Sequence, residues 1–376
     1  MEMKKDLRVI ISGGGTGGHI FPAISIANAI KEARPQAQIL FVGALGKMEM
    51  EKVPAAGYEI KGIPARGLKR PLYSPSNISV AIDYLKCKTL AKKIIREFKP
   101  NLVVGVGGYA SAAIVGSAAK MGIPVLLQEQ NSFAGLVNRK NAKDAAKICV
   151  AYDGMERFFP KERILNTGNP IRKDIDKATP EQKAQGYEYY KLSPRKKTVF
   201  VVGGSLGCRT LNECMKKAVA EGKLFGGEND YQVIWQHGKI YKEEIDAFMK
   251  GKETEGVYYS DFIQRMDLAY AVADVVVSRA GAGTISELCV AEKCTVFVPS
   301  PMVAEDHQTH NAMALVNKGA AMIVKDAAAT EELLPCLEAL LKDEAKIKEL
   351  EKNIGTLAKK DAAATIAQEC LKLAEK

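Results

Sequence analysis

Four glycine-rich loops hold most of the residues able to do chemistry. The first, Gly13-Gly14-Gly15-Thr16-Gly17-Gly18-His19, follows a short apolar run and opens a helical pattern. A loop so placed offers free backbone N–H groups and the positive end of a helix, which suits a diphosphate. Gly13, Gly15 and Gly18 also satisfy the G-x-G-x-x-G spacing of dinucleotide-binding folds. Those folds want an acidic residue near the end of the second strand, and here that run ends in Val42-Gly43-Ala44. The match is therefore weak evidence for NAD. His19, where loop meets helix, is the natural general base, with a helix-capping histidine as the competing reading.

The second loop is Gly105-Val106-Gly107-Gly108-Tyr109-Ala110-Ser111 and the third Gly203-Gly204-Ser205-Leu206-Gly207. The fourth runs from Ser278-Arg279-Ala280-Gly281 through Ala282, Gly283, Thr284, Ile285 and Ser286 to Glu287. Amides near Thr284 and Ile285 are placed to hold phosphate oxygens, and Glu287 to accept bonds from ribose hydroxyls. Taken alone, Glu287 reads better as a carboxylate that complements the helix dipole. His307, Gln308 and His310 beside Glu305-Asp306 resemble metal ligands, but no second cluster accompanies them, so no metal site is expected.

The elements that position these loops repeat as strand, loop, helix. Leu7–Ser12, Gln38–Val42, Leu102–Val106, Pro124–Gln128 and Lys147–Ala151 read as buried strands. A helix is expected over Ile20–Glu32, where Pro22 suits the first turn. The pattern restarts with strands at Thr198–Val202, Gln232–Trp235, Val257–Tyr259, Asp274–Ser278 and Thr295–Pro299. Alternation of this kind predicts an α/β fold of two Rossmann-like parallel-sheet domains, with glycine loops facing a central cleft. The domains are expected at 1–168 and 169–355, joined near Gly168-Asn169-Pro170-Ile171-Arg172. A final helix over about 356–376 is expected to cross back to the first. Ala178–Leu192 reads as a polar, irregular excursion.

Length and charge bound the function. A chain of 376 residues with 47% hydrophobic and 26% charged residues suits two soluble domains. Lys and Arg outnumber Asp and Glu by 54 to 44, which points to an acidic partner. Ten of the basic residues lie between Lys61 and Lys99, against Asp83 and Glu97 alone. No nucleic-acid-binding signature accompanies them, and nucleic acid is not an expected partner. Eight scattered cysteines without a CxxC pair fit reduced thiols. No signal peptide is read at the start. Leu102–Ala119 carries no charge, but its glycines favour strand, turn and helix over a membrane span.

The motifs also occur together and in order. GGGTGGH, GVGGY, QEQNSFAGLVNR, GNPIR, GGSLG, FIQRM, SRAGAGTISE and DHQTHNA resemble the MurG family over about residues 7 to 325. The resemblance implies the GT-B fold and inverting transfer of GlcNAc from UDP-GlcNAc to the MurNAc 4-hydroxyl of lipid I, an undecaprenyl-diphosphate acceptor. It implies His19 as base, and Thr16, Gly17 and Gly18 as ligand contacts of the first loop. Asn131, Arg172 and Ser205 would bind the donor, and Ile263 would present its backbone to uracil. Ala282, Gly283, Thr284, Ile285, Ser286 and Glu287 would hold diphosphate and ribose, with Gln308 on the sugar hydroxyls. No cofactor is implied, because an arginine and helix N-termini can stabilise a departing diphosphate unaided. The resemblance places the chain on the cytoplasmic face of the bacterial inner membrane, beside other cell-wall synthesis proteins.

Two positions depart from the family pattern. Gln128 stands where many members have His, and Leu206 where a Gln is frequent. The competing functions are a UDP-GlcNAc 2-epimerase or glycolipid glucosyltransferase, an NAD-dependent oxidoreductase, and a non-catalytic sugar-nucleotide-binding module. The basic segment interleaves Arg66, Lys69, Arg70 and Lys86 with Leu68, Leu72, Tyr73, Ile78, Ile82 and Leu85. Such a patch suits an anionic membrane surface, each cation contributing about 1 kcal/mol, although a solvated face over an apolar core reads as well. Replacing Lys69 and Arg70 with Glu should weaken binding to anionic vesicles. Unchanged binding with unchanged salt dependence would dismiss the patch.

Overall fold

Continuous apolar runs pair into two parallel sheets, each covered on both faces. The computed structural model describes residues 6–67, 76–204, 206–222, 225, 231–252 and 255–375. Ser205 lies outside the described residues, as do Leu68, Lys69, Arg70, Leu72, Tyr73 and the side chain of Ile78. The chain divides into two compact units, Met1–Ile171 with Asp361–Lys376, and Arg172–Lys360.

In the first unit the strands are β1 (Arg8–Ser12), β2 (Gln38–Ala44), β3 (Glu59–Ile63), β4 (Leu102–Gly105), β5 (Val125–Glu129), β6 (Lys147–Val150) and β7 (Ile164–Asn166). They lie in the order β3-β2-β1-β4-β5-β6-β7. Helices α1 (Gly17–Ala33), α2 (Glu49–Ala55), α3 (Ser76–Phe98), α4 (Tyr109–Lys120) and α5 (Leu136–Asn141) connect them. In the second unit α6 (Pro180–Tyr190) leads to β8 (Lys197–Val202), α7 (Arg209–Glu221), β9 (Tyr231–Gln236) and α8 (Lys242–Met249). Then follow β10 (Val257–Ser260), α9 (Met266–Val272), β11 (Val275–Ser278), α10 (Ala282–Val290) and β12 (Thr295–Phe297). The unit ends with α11 (His307–Val316), β13 (Met322–Ile323), α12 (Ala329–Lys342) and α13 (Glu344–Gly355). Its sheet order is β10-β9-β8-β11-β12-β13, and α14 (Ala362–Ala374) belongs to the first unit.

Side chains alternate across each strand, so neighbouring residues enter different cores. Val9 and Ile11 pack with Ile26 and Ile30 of α1 and Ile366 and Cys370 of α14, whereas Ile10 joins Ile114 of α4 and Ile95 of α3. In the second unit Val199 and Val201 pack with Trp235, Leu333 and Leu337. Phe200 turns the other way and meets Tyr270 edge-on at 5.7 Å between centroids. The sheets thus have the two-sided apolar cover that parallel strands require.

The structure corrects the reading of 178–192. Residues 180–190 form a helix, opened by a capping box in which Thr179 and Gln182 satisfy each other's backbone amides. Only Gly186 and Tyr190 of that helix are buried, so it carries almost no apolar stripe. The edge strand β3 also lacks a strong pattern, because its Glu-Ile-Lys-Gly-Ile sequence is mostly half-exposed. Leu102–Ala119 is divided between β4 and α4, and among the described residues no helix is long and apolar enough to cross a membrane.

Helix α14 lies on α1, and its Ile366 is fully buried while Gln368 is exposed. Ile366→Ala should cost about 2–5 kcal/mol in chemical denaturation, and Gln368→Ala no more than about 0.5 kcal/mol.

Candidate active site

Both sheets reverse their strand order between neighbours, β1 with β4 and β8 with β11. Helices α1 and α4 join different cores, so they leave the carboxyl edge of the first sheet toward opposite faces. That divergence opens a crevice at the switch point, where α/β sheets take ligands. The first two glycine loops meet there. The carbonyl of Ser12 accepts the amide of Val106 at 2.9 Å, and a Cβ on Gly108 would lie 2.3 Å from the carbonyl oxygen of Gly14. Gly107, at φ +94°, leaves room for an imidazole, since a Cβ there would lie 2.8 Å from Nε2 and Cδ2 of His19.

His19 is half-buried in the first turn of α1. Its amide donates to the carbonyl of Thr16 at 3.1 Å, and its Nδ1 lies 3.1 Å from the Thr16 hydroxyl. Thr16 and Gly18 are exposed and Gly17 is half-buried. The amide of Gly15 is not open to a ligand. It donates to both oxygens of Glu49, at 3.2 and 3.0 Å, and that carboxylate also accepts the amide of Ala44 at 3.0 Å. Glu49 is 1% exposed, and a Cβ on Gly14 would sit 2.0 Å from its Oε1. The carboxylate near the end of β2 therefore fastens the loop instead of facing a ribose.

A second buried carboxylate fixes the loop after β5. Glu129 accepts from the amides of Asn131 at 3.1 Å and Gly135 at 3.0 Å, and from Asn138 Nδ2 at 2.9 Å. Burial raises its pKa, and these donors pull the other way. Asn131, half-buried, is held at the head of this loop. Gln128 is wholly buried: its Nε2 donates to Asn169 Oδ1 at 3.0 Å, and its Oε1 accepts from Gln130 Nε2. A glutamine here is part of the network that ties β5 to the 169 segment.

In the second unit, α10 begins at Ala282, and Gly281 caps it with extended backbone. The amide of Ile285 donates to the carbonyl of Gly281 at 2.9 Å, so it cannot also hold a phosphate. The amides of Gly283 and Thr284, which precede that first hydrogen bond of the helix, have no partner within it. Ala282 and Ile285 have buried side chains, whereas Gly283, Thr284 and Ser286 are partly open. Glu287 and Arg172 meet as a bidentate pair, Nε to Oε1 at 3.1 Å and Nη2 to Oε2 at 3.2 Å. The buried hydroxyl of Tyr270 also donates to Glu287 Oε2 at 3.2 Å. Burial opposes the guanidinium charge of Arg172, but Glu287 outweighs it and the pKa rises.

Neighbouring loops complete this edge. Gln308 accepts the amide of Ser300 through Oε1 at 2.9 Å, and Asn311 of the same helix donates to the carbonyl of Ala280 at 3.4 Å. Arg279 is anchored on Asp326 at 2.5 Å and on the carbonyl of Val298 at 2.9 Å. Ile263 is buried, and its chain segment is held by Gln236 Nε2 on the carbonyl of Asp261 at 3.0 Å and by Ser260 Oγ on that of Phe262 at 3.0 Å. In the third loop Leu206 is 67% exposed, and a Cβ on Gly207 would strike the carbonyl oxygen of His237 at 2.0 Å. Among the described residues no group of three or more His, Cys, Asp or Glu side chains could hold a metal ion.

Two family models match this chain. The glycosyltransferase family 28 N-terminal domain covers residues 9–150, and the C-terminal domain of the same family covers 198–368. The chain belongs to glycosyltransferase family 28. A relative from Phocaeicola vulgatus is 52% identical over 375 residues, covering 100% of this chain and 98% of its own length. It is named UDP-N-acetylglucosamine–N-acetylmuramyl-(pentapeptide) pyrophosphoryl-undecaprenol N-acetylglucosamine transferase. The crystal structure of Acinetobacter baumannii MurG is 27% identical with a TM-score of 0.77, covering 97% of this chain and 99% of that one. A UDP-GlcNAc 2-epimerase from Neisseria meningitidis, solved with UDP-GlcNAc, has a TM-score of 0.66 at 12% identity, over 98% of this chain and 100% of that one. At that identity the likeness shows the fold alone.

For this family 28 chain, sequence reading passed over Glu49, Tyr270 and Asn138. Tyr270 and Asn138 sit inside apolar or mixed helical runs and carry no spacing signal. Glu49 does follow the end of β2, the region in which an acidic residue was sought.

His237 is buried behind the third loop. Burial lowers its pKa, while its backbone carbonyl accepts Asn212 Nδ2 at 3.0 Å. The unfolded chain takes up this proton at about pH 6.5 and the folded chain only at lower pH, so acid favours unfolding. The melting temperature should fall as pH drops from about 7 toward 5, and His237→Gln should remove part of that slope. An unchanged slope would show that His237 is not its source.

Proposed function

We propose that this family 28 chain moves GlcNAc from UDP-GlcNAc to the MurNAc 4-hydroxyl of undecaprenyl-diphospho-MurNAc-pentapeptide. The products are the disaccharide lipid, lipid II, and UDP. The observation that carries this reading is the full-length likeness, at 52% identity, to the Phocaeicola vulgatus enzyme bearing that name. As an N-acetylglucosaminyltransferase it acts in peptidoglycan synthesis.

Transfer with inversion needs three things: a base for the acceptor hydroxyl, a grip on the donor, and relief of charge on the leaving UDP. His19 supplies the base. In the tautomer whose proton is on Nδ1, shared with the Thr16 hydroxyl, Nε2 is the basic nitrogen. Thr16, Gly17 and Gly18 line the acceptor beside it. In the second unit the start of α10 takes the diphosphate through the amides of Gly283 and Thr284, with the helix dipole behind them. Arg172 faces the same developing charge, and its pairing with Glu287 keeps the guanidinium in place until UDP arrives. Glu287 receives the ribose, Ile263 the uracil, and Gln308, Asn131 and Ser205 the remaining donor groups.

The acceptor carries a lipid, so the enzyme works at the cytoplasmic surface of the inner membrane. The basic segment around Arg66 and Lys86 is the surface that would rest on anionic lipid, near other cell-wall enzymes.

The test is transfer of labelled GlcNAc from UDP-GlcNAc to a lipid I analogue by wild type and His19→Ala. Loss of general-base catalysis should lower turnover about 10²–10⁴-fold while UDP-GlcNAc binding is retained. A variant with full turnover would remove His19 from the mechanism. Donor binding without wild-type transfer would overturn the function.

A further inference from the structure

The amino edge of the second sheet carries a cavity that the transfer reaction does not use. Its volume is about 560 Å³, within the range of small-molecule sites. Five lysines line it, Lys177, Lys183, Lys293, Lys348 and Lys352, against Glu292 and Glu351. Helix α10 separates it from the donor loop. The proposed diphosphate contacts stand at the start of that helix and the cavity at its far end, beyond roughly 13 Å of helix at 1.5 Å per residue.

Lys293 is the unusual member. It stands just before β12 and is 6% exposed. Its Nζ donates to the carbonyl of Ala273 at 2.9 Å. Burial pushes its pKa down to about 8, and Glu351 and Asp274 act against that fall. Asp274 is itself committed to the amide of Thr198 at 2.7 Å. A buried ammonium costs several kcal/mol unless paired and hydrogen-bonded, and this one lies among like charges. At the exposed rim, Lys177 pairs with Glu292 at 2.6 Å and Lys348 with Glu344 at 3.6 Å. Lys183 and Lys352 make no ion pair among the described residues.

We propose that this cavity binds a small phosphate-bearing anion, with Lys293 as its buried contact and Lys183 and Lys352 closing on it from the rim. Ammonium groups act on phosphate as compact point charges with several donors each, and a set of them around one hollow favours a multiply charged ligand over a single carboxylate. The lining includes Lys177-Ala178 and Gly355-Thr356, close in sequence to the two points where the chain passes between units. Asp176 and Lys360 join those two segments directly. The site does not depend on the transferase reading.

The probe is inorganic pyrophosphate, titrated calorimetrically into the full chain in excess UDP at constant ionic strength. Lys183→Glu with Lys352→Glu changes exposed residues only and should leave folding intact, checked by melting temperature. The expected result is saturable one-to-one binding to wild type, weakened at least about tenfold in the double variant, a loss of 1.4 kcal/mol or more. Lys293→Met should abolish it. Equal binding by wild type and a folded double variant would overturn the proposal, and so would the absence of saturable binding to wild type. The contrast between variants locates the site whether or not UDP binds elsewhere.

Discussion

A loop that passes from a strand into a helix leaves backbone N–H groups without partners in either element, and in the first unit two buried carboxylates accept several of them. Glu49 takes the amides of Gly15 and Ala44, and Glu129 those of Asn131 and Gly135. A charged acceptor contributes about 1.5–3 kcal/mol per hydrogen bond, which offsets the cost of taking a carboxylate out of water. The loops are thereby fixed without bulky side chains. Where His19 stands follows from that, because its ring occupies the space that Gly107 leaves empty.

The second unit solves the same problem differently. Its fourth loop is held from outside by Arg279 on Asp326 and by Asn311 on the carbonyl of Ala280. Arg172 and Glu287, which the proposed mechanism gives to the donor, pair with one another. Tyr270 holds Glu287 from beneath. Under the proposed mechanism a nucleotide would compete for groups that are already oriented, which favours order in the site over raw affinity.

Much of this could be read from residue order alone. Runs such as Arg8–Ser12 and Lys197–Val202 are apolar on both faces, so strand type and the two parallel sheets follow directly. The glycine loops fall between strand and helix by spacing. Two kinds of feature escaped. Elements with little buried surface, such as α6 and β3, leave no periodic pattern because few of their side chains enter a core. Long-range acceptors were hidden for another reason: nothing in the sequence says that Glu49 reaches back 34 residues to Gly15. Ile285 shows the limit on a finer scale, since the residue type places it in the loop but only backbone geometry shows its amide already spent.

The central claim is that these loops serve sugar transfer and not another reaction of the same fold. The most direct measurement is proton NMR of the product formed from UDP-GlcNAc and a lipid I analogue, following the anomeric coupling of the GlcNAc unit. The account predicts a β-linked disaccharide on the lipid diphosphate, with one UDP released for each linkage. An α linkage would contradict inversion with His19 as base. Conversion of the UDP-sugar to its 2-epimer, without growth of the lipid, would contradict the account as a whole.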